Sequence, residues 1–161
     1  MTKVKYKIWN WLDNKEEFLS DLCLKIWKNP ELPLKEKYAS ELLISVLEEE
    51  GFDIEKNIAG METAFIAEYG EGKPILGVLG EYDALPGLSQ KIKAEKDPIE
   101  KGAPGHGCGH NLLGVGSLGA ALAVKNAIED GDISGTIRFY GCPAEETLVG
   151  KVFMAREGVF D

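Results

Sequence analysis

Two short strings carry side chains able to hold a metal ion: Gly105-His106-Gly107-Cys108-Gly109-His110-Asn111 and Cys142-Pro143-Ala144-Glu145-Glu146. The first sets a thiol and an imidazole on either side of one glycine, within reach of a single ion. The second adds adjacent carboxylates, one to ligate and one to carry a proton. A bound divalent ion makes water acidic enough to deprotonate near neutral pH, and a neighbouring carboxylate can take that proton, so the residue types point to metal-assisted hydrolysis. Glu81 and Asp83 form a further acidic pair. On their own they read as a solvated strand end, and only a position beside Glu145 gives them more.

The elements that must position these strings follow from periodicity. Ile8, Trp11, Leu12, Phe18, Leu22 and Ile26 recur at helical spacing and predict one helix that Asn29-Pro30 stops near Lys28. A second helix is predicted from about Lys35, with Tyr38, Leu42, Val46 and Leu47 on one face and Gly51 as its left-handed stop. Residues 63–69 and 75–79 read as strands, and Gly70-Glu71-Gly72-Lys73-Pro74 between them predicts a hairpin. The second strand is almost wholly apolar, which predicts a place inside the sheet.

Residues 90–103 are polar and aperiodic and read as a long loop. An Ala-rich helix is predicted over 112–129 and a strand over 136–141. Strand, crossover helix and strand in this order predict a parallel pair. Glu81, Asp83, Glu145 and Glu146 then share the carboxyl edge of the sheet, where open α/β folds place ligands. Asn111 is predicted to cap the crossover helix, whose positive end should lower the pKa of Cys108.

Competing readings of the same residues are blander. Gly114-Val115-Gly116-Ser117-Leu118-Gly119 imitates a dinucleotide fingerprint but falls inside a helix, where close helix–sheet packing explains it better. Ser117 lacks a nucleophile elbow because Val115 stands at its first glycine position. Cys108 as a thiol nucleophile with His110 is a real competitor, although it leaves Glu145 and Glu146 without a task. His106 reads as a loop hydrogen-bonder or a bystander. Cys23 and Cys142 read as packed thiols.

Length and composition set the outer bounds. With 161 residues, 44% of them apolar, the chain suffices for one domain or part of one. A net charge of −9 without a basic stripe argues against nucleic acid. The longest apolar stretch, 112–124, is too short and too interrupted to predict a membrane span. Lys3, Lys5 and Lys7 are followed by no apolar core of a secretory signal. Three cysteines, at 23, 108 and 142, form no disulfide framework, so a reducing cytoplasm is the expected location.

Three segments carry a resemblance to a known family: 81–88 (EYDALPGL), 106–114 (HGCGHNLLG) and 138–146 (RFYGCPAEE). They look like the M20 metallopeptidase/amidohydrolase family, and within it the aminobenzoyl-glutamate-like subgroup. The stretch from Gly150 to the last residue is similar as well, so the resemblance runs from about Trp27 onward. It implies an α/β fold, namely the amino-terminal part of a three-layer α/β/α catalytic domain with a mixed sheet.

By the same resemblance the reaction is metal-dependent cleavage of the amide of an N-acyl or N-aroyl amino acid such as p-aminobenzoyl-glutamate. Two divalent ions, zinc or manganese, serve the family. Cys108, His110 and Glu146 match metal ligands, Glu145 matches the general base, and Asp83 matches the residue that orients the site. Where the family has His-x-Asp, Glu81-Tyr82-Asp83 stands here, which leaves Glu81 without an assigned role. Family members carry further histidine ligands and a dimerisation domain downstream. Residues 1–161 therefore read as a partial catalytic domain of an enzyme that is a homo- or hetero-oligomer at full length. The alternative is a truncated, catalytically inactive metal-binding or association module.

Overall fold

A computed structural model describes residues 3–161. In chain order it contains α1 (Lys3–Asn14), α2 (Glu16–Lys28), α3 (Lys37–Glu49), β1 (Asp53–Lys56), β2 (Phe65–Glu71), β3 (Ile75–Glu81), α4 (His110–Glu129), β4 (Gly135–Cys142) and α5 (Gly150–Arg156). Short 3-10 turns lie at Ile58–Gly60 and Glu145–Thr147. The strands form one mixed sheet in the order β1-β2-β4-β3, so the fold is α/β.

The main core lies between the sheet and α2, α3 and α4, where Leu22, Ile26, Leu43, Leu47, Leu118 and Leu122 meet Phe65, Ile137 and Phe139. A smaller cluster forms on the opposite face, where α5 contributes Met154 against Tyr140 and Cys142. β4 is thus covered on both faces. The parallel pairing of β3 with β4 holds as expected, residue for residue from Ile75↔Thr136 to Glu81↔Cys142.

The expected hairpin does not form. β2 and β3 are separated by β4, which runs antiparallel to β2 and parallel to β3. β4, buried along nearly its whole length, is the strand that fills the interior slot. The same topology puts β3 at an edge rather than inside: Ile75, Leu76 and Leu79 are 45%, 53% and 41% exposed. An apolar run specifies a strand without specifying how many neighbours it has.

The single amino-terminal helix is in fact two. The chain leaves helical geometry at Lys15, whose φ and ψ are −102° and 5°, and restarts at Glu16. The apolar series explains the break, because it jumps from Leu12 to Phe18 and skips the position that a continuous stripe needs. α1 buries no residue, whereas α2 buries Leu22 and Ile26. Phe18 and Tyr38, expected on the core faces, are exposed, and Ala39 and Leu43 fill the α3 face instead. Gly51 does end α3, at φ +84°.

α4 is the element that matters most for the site. By length and composition alone it is long and apolar enough to cross a membrane. Eleven of its residues are nevertheless buried in the fold, as befits a core helix. Close helix–sheet approach explains Gly114: a Cβ there would lie 2.6 Å from the Glu81 carbonyl oxygen. The loop before α4 has no regular element across 90–103. Gln90 pins it, its amide donating to the carbonyls of Lys91 and Glu95 and accepting the Asp97 N–H.

Candidate metal centre

Three chain segments end at one edge of the sheet. β3 delivers Glu81 and, two residues on, Asp83; the glycine-rich turn delivers Cys108 and opens α4 with His110; β4 runs out into the turn that carries Glu145 and Glu146. α4 begins at His110, earlier than periodicity indicates, because Gly109 occupies its N-cap in the left-handed region at φ 84°. Asn111 therefore lies inside the first turn and does not cap it. Its side-chain amide donates instead to the Cys23 carbonyl at 3.3 Å, tying α4 to α2.

His110 is the hub. It is 4% exposed, and its Nδ1 stands 2.8 Å from the Asp83 Oδ1. The other Asp83 oxygen accepts the Glu146 N–H at 2.9 Å. Asp83, 1% exposed, therefore holds both the imidazole and the backbone of the carboxylate turn. With Nδ1 engaged by Asp83, Nε2 lies 3.1 Å from Glu81 Oε2 and 3.6 Å from Glu145 Oε2, while Glu146 Oε1 lies 4.0 Å from Nδ1. A carboxylate behind one ring nitrogen, leaving the other as electron-pair donor, is how ligating histidines are held.

Two donor groups emerge among the described residues, Cys108 with His110 and Glu146, and Glu81 with His110 and Glu145. Within each, one ligand atom per residue lies within 4.8 Å of the others. Both use the same imidazole, so they form one His-centred cluster. Glu81, to which sequence reasoning assigned no role, thus sits against the hub. Its position at the end of β3, two residues before Asp83, was the available signal.

The charge balance favours a cation. Glu81, Asp83, Glu145 and Glu146 surround His110, and Lys151 pairs with Glu81. Glu146 Oε1 is buried without a hydrogen-bond partner. The thiol of Cys108 is pushed up from its ordinary pKa, first by its contact with Glu146 and then by the nearby charges of Glu145 and Glu81. This reverses the expected lowering by the α4 terminus: nearby carboxylates outweigh a helix end. Anionic groups gathered this closely accept a divalent ion readily, and its charge would invert the shift. Thiolate, imidazole and carboxylate form a donor set that fits such an ion.

The remaining candidates lie outside the cluster. Both ring nitrogens of His106 are buried without a partner, and burial lowers its pKa. Cys142 is buried, its thiol pushed up to about 12 by desolvation. Cys23 is half-buried against the main core. The Ser117 hydroxyl donates to the Leu79 carbonyl at 2.7 Å, a helix–strand bond.

Comparisons with known proteins bear on the chain as a whole. No family model matches the chain. It is 50% identical over 143 residues to one of the subunits of the p-aminobenzoyl-glutamate hydrolase of Escherichia coli, covering 88% of this chain and 30% of that protein. To the Xaa-Arg dipeptidase of Homo sapiens it is 31% identical, covering 92% of this chain and 34% of that one. The chain thus spans about a third of the length of these curated relatives. Among solved structures, a dinuclear metal-binding peptidase of the M20 family from Bacillus subtilis superposes with a TM-score of 0.78 at 26% identity, over 92% of this chain and 41% of that one.

Proposed function

Since the chain belongs to the M20 family, we propose that it forms the metal-binding part of an amidohydrolase that cleaves the amide of an N-acyl or N-aroyl amino acid. A compound like p-aminobenzoyl-glutamate is the leading substrate, by likeness to the Escherichia coli hydrolase. The observation that carries the reading is the convergence of Cys108, His110 and Glu146 with Asp83 braced behind the imidazole. In this assignment residues 1–161 are part of a catalytic domain, and a homo- or hetero-oligomer is the working assembly. Three free thiols suit a reducing cytoplasm.

The chain's own residues divide the work. Cys108, His110 and Glu146 would hold a divalent ion, zinc or manganese, one of the two that such an enzyme would carry. Such an ion supplies Lewis acidity at the amide carbonyl and makes a water acidic near neutral pH. Asp83 keeps the proton of His110 on Nδ1, so that Nε2 donates its electron pair. Glu145, whose side chain is 30% exposed, has room to meet solvent and substrate; it takes a proton from water and returns it to the leaving amine. Glu81, held by Lys151, adds negative charge beside Nε2.

Elemental analysis of the purified protein before and after chelation is the first test. Stoichiometric zinc or manganese is expected, lost in Cys108→Ala and in Glu146→Ala. Glu145→Gln should keep the metal, and in an active form of the enzyme should remove amide hydrolysis. Metal retained in both ligand variants would sink the assignment. A second reading, an association module without catalysis, is favoured by one observation: the apolar side chains along the exposed edge of β3.

A further inference from the structure

Glu36 is fully buried and has no part in the mechanism above. It stands at the N-cap of α3 yet makes no capping bond. Glu31 does that work, its two carboxylate oxygens each accepting an N–H of the first turn, from Tyr38 and Ala39, at 3.0 Å. The Glu36 side chain is directed elsewhere. Its Oε1 accepts the Leu34 N–H at 2.9 Å and the Ala144 N–H at 2.8 Å, while Oε2 accepts the Thr63 hydroxyl at 2.9 Å. Burial raises its pKa against the opposing effect of these bonds.

Ala144 immediately precedes the two carboxylates of the candidate site. It is fully buried and holds a left-handed backbone at φ 57°, and Leu148 closes the same turn at φ 58°. Residues other than glycine keep this conformation only where their surroundings over-determine it. Glu36 supplies that constraint on the near side of the turn. On the far side, the Thr147 hydroxyl donates to the Ala144 carbonyl at 3.1 Å.

We propose that Glu36 is the positioning residue for the Glu145-Glu146 pair: by holding the Ala144 N–H, it fixes the left-handed turn from which Glu145 reaches His110 and Glu146 reaches Asp83. A loop 108 residues away in sequence thereby sets the geometry of the cluster. The functional meaning of this role rests on the metal-binding reading, whereas the structural link does not.

The test compares Glu36→Leu, Glu36→Gln and the core variant Leu47→Ala in the complete 161-residue chain. Glutamine keeps Oε1 for both N–H donors and presents its amide to Thr63, so it serves as the rescue. Two readouts are taken: amide exchange at Ala144 and Glu146 by NMR without metal, and cobalt(II) affinity from visible absorption. Glu36→Leu should lose protection at both amides and bind cobalt roughly ten-fold more weakly, as for a lost outer-shell partner. Glu36→Gln should keep both. Leu47→Ala should lower thermal stability and leave both unchanged, which separates positioning from general loosening.

If Glu36→Leu does not fold, Glu36→Asp withdraws the carboxylate by one methylene and carries the same comparison. Wild-type amide protection and His110 resonances in a folded Glu36→Leu or Glu36→Asp variant would overturn the proposal. So would an equal loss of cobalt in Leu47→Ala. If the wild-type chain binds no cobalt, the metal reading fails, and the amide comparison alone still decides the role of Glu36.

Discussion

Asp83 and His110 form a coupled pair whose titration can be read from outside. The pKa of His110 is raised, chiefly by its hydrogen bond to Asp83. Burial would raise that of Asp83, but the bonds from His110 and the Glu146 N–H overcome it and leave the net shift downward. A raised histidine contributes stability below its unfolded value of about 6.5, lost as pH climbs through the folded pKa. A lowered aspartate contributes above its unfolded value of about 3.9, lost as pH falls through the folded pKa. The metal-free protein should therefore gain most from this pair between those two unfolded values. Urea denaturation across about pH 3 to 9 should show that maximum, flattened in Asp83→Asn. An unchanged profile in the variant would remove the pair from the account. Cys108 illustrates the limit of local reasoning: a helix terminus is visible in the string around it, whereas the charges of Glu145 and Glu146 arrive from another strand.

The contact between α4 and β3 sets where His110 sits relative to Glu81. Gly114 makes that contact possible, and Gly116 in the same helix meets nothing within 4 Å of a built Cβ. The two glycines should therefore respond oppositely to the same substitution. Gly114→Ala drives a methyl against the Glu81 backbone and should cost about 1–3 kcal/mol in urea denaturation, with shifted His110 resonances. Gly116→Ala should be neutral or stabilise by about 0.5–1 kcal/mol, since alanine favours the helix. Equal effects would show that the helix is not seated on β3 as described. The existence of α4, its parallel strands and the Gly51 stop were legible because each rests on local pattern. The break at Lys15 was not read from the sequence, because the apolar positions on either side of it count as one helical series and only the gap after Leu12 marks the stop. β1 was not foreseen, because Asp53–Lys56 reads as a charged run and becomes a strand only by pairing with β2.

The assembled molecule presents apolar side chains along β3, one of its two outer strands. Ile75, Leu76 and Leu79 are each more than two-fifths exposed, and among the described residues β3 pairs with β4 alone. An edge strand of this kind invites pairing with another chain. The 161-residue chain should accordingly self-associate as concentration rises, in sedimentation or light scattering. Leu76→Lys places a charge on that edge and should shift the protein toward monomer without loss of helix content. A monomeric wild type at high concentration would contradict this expectation. The net charge of −9 opposes association at low salt, so added salt should strengthen it.

Chemistry and approximate location were written in the chain order. Cys108, His110, Glu145 and Glu146 stand in two short strings beside predictable strands, and a strand–helix–strand unit places their ends on one edge. Their ordering into a cluster was not. That β4 separates β2 from β3, that Glu81 meets His110, and that Glu36 holds Ala144 all depend on contacts between residues far apart in sequence. Periodicity and motif spacing are local quantities, fixed by backbone geometry over a few residues. Strand neighbours, buried hydrogen bonds and summed charge are set only when distant segments compete for one interior.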